Sequence, residues 1–568
     1  MKPIYRPLLA VVLLFLPSAC SQDSSRGNDT TTVKTADAPN PNEAQLYQGF
    51  GNYQRVISTQ SEQCQRWFNQ GMQLLYGFNH DEAIRSFEAA AQSDPTHPMP
   101  HWGIAYANGI NINDPEMTEQ RSLAARAAAD QAMALIDNAS AVEKALITAV
   151  DVRYTLPIPE DRTPLDQAYA DAMGKANQQF PGDNDVAALY AESLMNLQPW
   201  DYWDRQGNPK GRINEVIATL ETVLAQDPNH PGASHFYIHA VEASTNPDRA
   251  IPAADTLRSL VPGSGHLVHM PSHIYIRVGR YADAVDSNAA AVGADRAYFS
   301  RAPEPQMYAI YYAHNLHFLA YAAMMSGRYQ DAITAARALE AEMPEQPLRE
   351  FAGLIEGIMP TTFHVLIRFG KWEQVLEEPD YPEYRLVSRA VRRYARSIAY
   401  SALGQTSLAR EEMAAFNDAS AKIPSEWHIF NNPVGKVLPI AKTMIEGELL
   451  FREGKREQAY QLLREGIAVE DSLVYDEPPG WMLPVRHALG ALLMADGRFA
   501  EAESVYREDL EHNRNNGWAL LGLRQALAAQ MKETEANQIG KRFYSAWAKA
   551  DTHPNSSCYC EPGVDPAR

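Results

Sequence analysis

The stretch that decides the fold runs from Cys64 to Pro95 and reads CQRWFNQGMQLLYGFNHDEAIRSFEAAAQSDP. Apolar residues recur every three to four places on both sides of a break near Phe78-Asn79-His80. That period belongs to helices with one buried face, so the stretch predicts two amphipathic helices joined by a tight turn. The small residues Gly71 and Ala83 let the two helices approach closely, and Pro95 stops the second.

The same punctuation recurs downstream as a turn residue followed five places later by a small apolar one. Gly279 pairs with Ala284, Gly327 with Ala332, Gly404 with Ala409, Gly454 with Ala459 and Gly497 with Ala502. Gly370 with Val375, Thr245 with Ala250 and Phe78 with Ala83 are weaker copies, giving eight in all. From Thr245 onward the intervals vary from 34 to 50 residues, so some helices or loops are extended. Between 108 and 230 the pattern fades, yet TEQRSLAARAAADQAMALID and DQAYADAMGKANQQFPGDNDVAALYAESLMNL keep a helical period. The aromatic segment Gln198–Pro209 reads as a loop that packs on something, and Asn108–Asp114 as a polar loop near the groove. No segment alternates as a strand does.

The order Trp67, Gly71, Ala83, Phe87, Ala90, Pro95 resembles the tetratricopeptide repeat. The resemblance covers roughly residues 64–545 and implies an all-α fold, a right-handed α-solenoid of tetratricopeptide-like helix pairs. It further implies that the first helix of each pair lines a concave groove, where relatives commonly bind peptides.

Counting back from each turn residue orders the histidines. His266 and His314 stand 13 back; His235, His269, His317 and His487 stand 10 back; His239, His273 and His364 stand 6 back. Glu242 and Met324 occupy offset 3, and Tyr321 offset 6. Offsets 13, 10, 6 and 3 share one helical stripe, roughly 80° wide. Nine of the 16 histidines thus fall at three offsets, which make up only about a tenth of a 34-residue repeat.

Imidazoles one turn apart can share an ion, and adjacent helices about 8–10 Å apart can complete its coordination. The set His235, His239, His266, His269, His273, His314 and His317 is therefore a candidate site for one or two transition-metal ions, copper, zinc or iron. Glu242 favours iron or zinc, and Met324 favours copper. Glu242, Tyr275, Tyr321 and Met324 are candidates for a supporting shell. With an open coordination position, the protein would be an oxidative or hydrolytic metalloenzyme. The competing reading is a metal-free scaffold that captures a peptide, protein or small molecule in the groove. Tyrosines 237, 275, 308, 311, 312 and 321 cluster in the same repeats, as helix packing, substrate platforms or redox neighbours.

The net charge of −20 and the pI near 5.3 argue against nucleic acid as a partner. Residues 1–19 read as a lipoprotein signal peptide: Lys2 and Arg6, the apolar run Leu8–Leu16, then Pro17-Ser18-Ala19 before Cys20. This resembles a bacterial lipobox, although Pro17 stands where Leu is usual, and implies acylation of Cys20. Ser21 points to the periplasmic face of the outer membrane by analogy. Residues 20–45 read as a tether, 46–230 as N-terminal helical repeats with a degenerate middle, 231–545 as the superhelix with the histidine-rich groove, and 546–568 as a poorly ordered tail. A disulfide from Cys64 to Cys558 or Cys560 is one option for the remaining cysteines, a soft metal clip another.

Overall fold

The computed structural model describes residues 44–302 and 308–559. The leader, Cys20, nearly all of the tether and Cys560 lie outside the described residues. Among the described residues the secondary structure is helical except for one two-stranded ribbon and two isolated bridges, Asn111 with Asp114 and Trp203 with Pro209, and each helix packs chiefly on its neighbours in the chain. The architecture is the expected all-α solenoid of helix pairs.

The first pair is α1 (Glu62–Tyr76) and α2 (His80–Ser93). Ser61 caps α1 by accepting from the Cys64 amide at 3.2 Å, and Asn79 caps α2 by accepting from Glu82 at 3.4 Å. A β-carbon on Gly71 would lie 2.5 Å from the Phe87 ring, so the close approach read from the sequence is real. The turn glycines 279, 327, 370, 404, 454 and 497 all have φ between +62° and +78°. After each, the next amide reaches back to a carbonyl five residues earlier, as Arg280 does to Tyr275 at 2.7 Å and Arg498 to Leu493 at 2.9 Å. This C-terminal closure needs a left-handed residue, which glycine adopts without a Cβ penalty. The residue five places on is fully buried in every copy: Ala83, Ala250, Ala284, Ala332, Val375, Ala409, Ala459 and Ala502.

Three first helices carry the histidines: α3 (Pro231–Val241), the broken pair α4 (Gly265–His269) and α5 (Pro271–Arg277), and α6 (Tyr308–Met325). Pro271 lacks an amide proton and interrupts what the repeat predicts as one helix, yet the histidine stripe continues across the break.

The array does not leave these helices facing an open groove. The 198–209 loop packs on α3, where Trp203 Nε1 donates to the Ala240 carbonyl at 2.9 Å. Late repeats fold back on early ones: Trp518 Nε1 donates to Met324 O at 2.8 Å, and Thr552 Oγ1 to Gly327 O at 2.7 Å. The ribbon β1 (His428–Ile429) and β2 (Asn432–Pro433) turns at Phe430, which has φ +47°. Asn432 ties it to the 472–484 loop through Val474 N and O, both 2.9 Å away.

The described part of the tail, residues 546–559, packs as a strap rather than lying loose. Ser557 is fully buried and bonds Tyr506 Oη at 2.7 Å and the His487 carbonyl at 2.9 Å. Cys64 is a buried free thiol while Cys558 is disulfide-bonded, so no bridge joins them. No described helix is long and apolar enough to cross a membrane.

Candidate metal centre

Six of the seven histidines gather in one chamber as two triads. In the first, one ring nitrogen each from His235, His239 and His266 lies within 4.8 Å of the other two. The second triad is His269, His273 and His314, on the same criterion of 4.8 Å. The triads abut: the His239 and His273 rings are 5.9 Å apart, the His266 and His269 rings 6.0 Å. His235 and His269 are fully buried, and His239, His266 and His273 nearly so. Only His314 is half-buried.

The outer ring nitrogens are held by acceptors. His235 Nδ1 meets the Tyr76 carbonyl at 2.6 Å. Gly232 permits this, because a β-carbon there would lie 2.3 Å from the Tyr76 ring and push α1 away. His239 Nδ1 meets Glu242 Oε1 at 2.9 Å, and His269 Nδ1 meets Asn288 Oδ1 at 2.6 Å. Asn288 is fixed in that sense by its own Nδ2, which donates to Ala284 O at 2.8 Å. His273 Nδ1 lies 2.8 Å from both Glu242 Oε2 and Glu477 Oε2.

Carbonyl, carboxylate and amide oxygens only accept, so these four Nδ1 atoms carry the protons. Their Nε2 lone pairs then point inward. His269 Nε2 and His273 Nε2 are 2.9 Å apart, and His235 Nε2 and His266 Nε2 are 3.1 Å apart. Two lone pairs at 2.9 Å repel, so the His269–His273 pair needs a proton or a metal cation between its nitrogens. His239 Nε2, His266 Nδ1 and His314 Nδ1 are buried with no hydrogen-bond partner, a cost that a ligand would relieve.

Burial holds His235, His266, His269 and His314 far below the usual imidazole pKa, reinforced by neighbouring imidazoles in every case. His273 is the exception: burial lowers it, but Glu242 and Glu477 outweigh that and raise it to about 10, so without a metal its Nε2 carries the proton that lies between it and His269 Nε2, and a bound cation would replace that proton. Burial alone would raise Glu242, yet His273 and His239 hold it ionised. The walls are aromatic. Phe78 stands 4.5 Å from the His235 ring, Trp200 5.2 Å from His239, Tyr311 4.5 Å from His266 and Phe318 5.0 Å from His273. Burial raises the Tyr311 hydroxyl above its usual pKa, against an opposing influence of the nearby Asn113 side chain in the polar 108–114 loop.

The other expected residues divide. Glu242 supports both triads from the Nδ1 side. His317 joins neither; it sits beside His364 on the far side of Phe430. Tyr275 turns its hydroxyl to Asp255 at 2.8 Å, away from the imidazoles. Tyr321 and Met324 are buried, and the Met324 carbonyl accepts from Trp518 Nε1. His487 pairs with Asp509 at 2.9 Å in another repeat. Most of the six tyrosines engage other partners, Tyr237 bonding Glu221 and Tyr312 Glu342. The sequence reading missed Glu477, Asn288 and the Tyr76 carbonyl. Asn288 lies on a buried helical face and had a periodic signal; Glu477, in a proline-rich loop, had none.

A family profile described as Tetratricopeptide repeat matches residues 485–517. No curated protein matches the chain. Similar solved structures include the human IFIT1 dimer with m7Gppp-AAAA, at 11% identity over 84% of this chain and 95% of that one, TM-score 0.31. Yeast Tom70 matches at 11% identity over 84% and 89%, TM-score 0.27. The APC/C hetero-tetramer Cut9–Hcn1 matches at 10% over 86% and 74%, TM-score 0.27. The repeat at 485–517 and the helix-pair solenoid are consistent with a protein-binding scaffold.

Proposed function

We propose that this chain is a metalloprotein that holds two transition-metal ions, one on His235, His239 and His266 and one on His269, His273 and His314, and uses them for oxidative chemistry. The observation that carries the reading is the set of four Nδ1–H groups held by Tyr76 O, Glu242, Asn288 and Glu477, which leaves Nε2 lone pairs converging. Iron is disfavoured, because its usual site adds a carboxylate ligand and both carboxylates here face the Nδ1 side. A donor set of imidazoles alone places copper first and zinc second by affinity. Bound copper would supply redox capacity. The chain's own residues would orient the imidazoles, keep a carboxylate pair beside His273 and exclude water behind Phe78, Trp200 and Phe318.

The deciding experiment is metal analysis of untagged protein purified without chelator. About two ions per chain, falling to about one in His269→Ala/His273→Ala with helicity retained, supports the reading. Metal-free protein that takes up neither copper nor zinc overturns it and leaves a binding scaffold for a peptide or protein. We also propose, from the leader sequence, that Cys20 carries lipid and anchors the protein in the cell envelope. Detergent partitioning that is unchanged in Cys20→Ala would reject that anchor.

A further inference from the structure

The helix Asn184–Met195 lies in the stretch where the repeat pattern fades, and its first turn carries Asp185, which is 8% exposed. The helix does not need this side chain as a cap, because Asp183 already accepts from the Val186 amide at 3.0 Å. The Asp185 carboxylate instead collects donors from three distant segments. Tyr76 Oη donates to its Oδ1 at 2.6 Å, and the Tyr53 hydroxyl donates to the same oxygen. Arg55 donates to Oδ2 at 3.2 Å. His230 completes the set. Its Nδ1 accepts from the Ala233 amide at 3.0 Å, so its Nε2 carries the proton and donates to Asp185 Oδ1, 3.2 Å away.

Two of these donors lead to the chamber. Tyr76 ends α1, and a last-turn carbonyl has no partner within its own helix. That of Tyr76 receives His235 Nδ1 at 2.6 Å. His230 is the N-cap of α3, which carries His235 and His239. One carboxylate therefore fixes both the group that holds the His235 ring and the start of the helix that presents it. Asp185, Tyr76 and His230 are all buried, and the Tyr76 and His230 rings meet edge to face at 5.4 Å, so the linkage has little slack.

We infer that Asp185 is the positioning residue of the first triad: it sets the tautomer and aim of His235, acting through Tyr76 and His230 rather than on the ring itself. Its effect on metal affinity rests on the metal reading above; its effect on the His235 proton does not.

The test begins with intact, chelator-treated protein labelled with 15N-histidine. The His235 ring signals are assigned by their loss in His235→Gln. The parent protein should show one tautomer, with Nδ1 protonated and Nε2 bare. Asp185→Asn keeps the shape of the side chain but turns half of it into a donor, and Tyr76→Phe removes only the hydroxyl link. In both, the two His235 tautomers should mix. Arg55→Gln, which spares both Oδ1 links, should lower stability yet leave the tautomer as it is. The His269→Ala/His273→Ala background keeps only the first triad. There, zinc affinity measured against a chromophoric chelator should fall about tenfold in Asp185→Asn and stay within about twofold in Arg55→Gln. A single Nδ1–H tautomer in both Asp185→Asn and Tyr76→Phe overturns the inference. So does an Arg55→Gln variant that mixes the tautomers equally, since the carboxylate would then serve packing alone. Because the tautomer is read on metal-free protein, its failure is separate from a failure of the metal analysis.

Discussion

Glu477 Oε2 lies 2.8 Å from His273 Nδ1 although 204 residues separate the two in the chain. Neither residue lies in the other's repeat. The contact exists because the 472–484 loop is tied to the 428–433 ribbon, where Asp476 accepts from Asn432 Nδ2 at 2.6 Å. The second triad is thus braced from outside its own helices.

Glu477→Gln should therefore lower metal affinity by about 10- to 100-fold, the usual cost of losing an outer partner of a ligating histidine. Competition against a chromophoric chelator measures it. The far-ultraviolet circular dichroism should not change. Full affinity in the variant would mean that Glu242 alone orients His273.

Two turn glycines separate backbone strain from packing. Gly404 has φ +73° and open space where a β-carbon would stand. Gly404→Ala should cost about 1 kcal/mol, the left-handed penalty alone. Gly327 has φ +72°, but its β-carbon would lie 2.2 Å from Trp547. Gly327→Ala should cost about 1–3 kcal/mol more, because the strap must shift. Urea denaturation of both variants gives the comparison, and equal losses would remove the packing role of Trp547.

Stability should fall as pH rises through the neutral range, and Asp295 is one cause. It is fully buried, accepts from Asn315 Nδ2 at 2.7 Å, and burial raises it to about 7. The folded protein holds this proton more tightly than the unfolded chain. The stability it provides is complete below about pH 4, the ordinary aspartate value, and is lost as pH passes about 7. Asp295→Asn should flatten the stability curve between those limits. A curve with unchanged slope in the variant assigns the effect to other carboxyls.

Cys64 offers a probe of global opening. It is fully buried and burial pushes its thiol up to about 11. A thiol-specific reagent at pH 8 should modify it only at the rate of unfolding, and at once in denaturant. Rapid labelling of native protein would show that α1 opens locally.

The repeat and the histidine stripe were legible because both depend on local periods. A turn glycine and a small residue five places later describe a closure made within one helix pair. Offsets along one helix also predicted that imidazoles one turn apart would converge, as His269 and His273 do. His317 shows the limit of that ruler. It shares offset 10 with His269 but faces His364, because successive pairs rotate and equal offsets do not aim at one point. Glu477 and Phe430 were invisible for another reason: they arrive from segments without periodicity, brought in when late repeats fold over early ones. That same folding turned the expected groove into a covered chamber.

Of the six chamber histidines, His314 alone reaches the surface, beside Phe430 at the ribbon's tip. The second triad is therefore the one whose imidazoles come within reach of solvent, whereas those of the first are closed in. An ion held by the second triad should on this ground exchange faster than one held by the first.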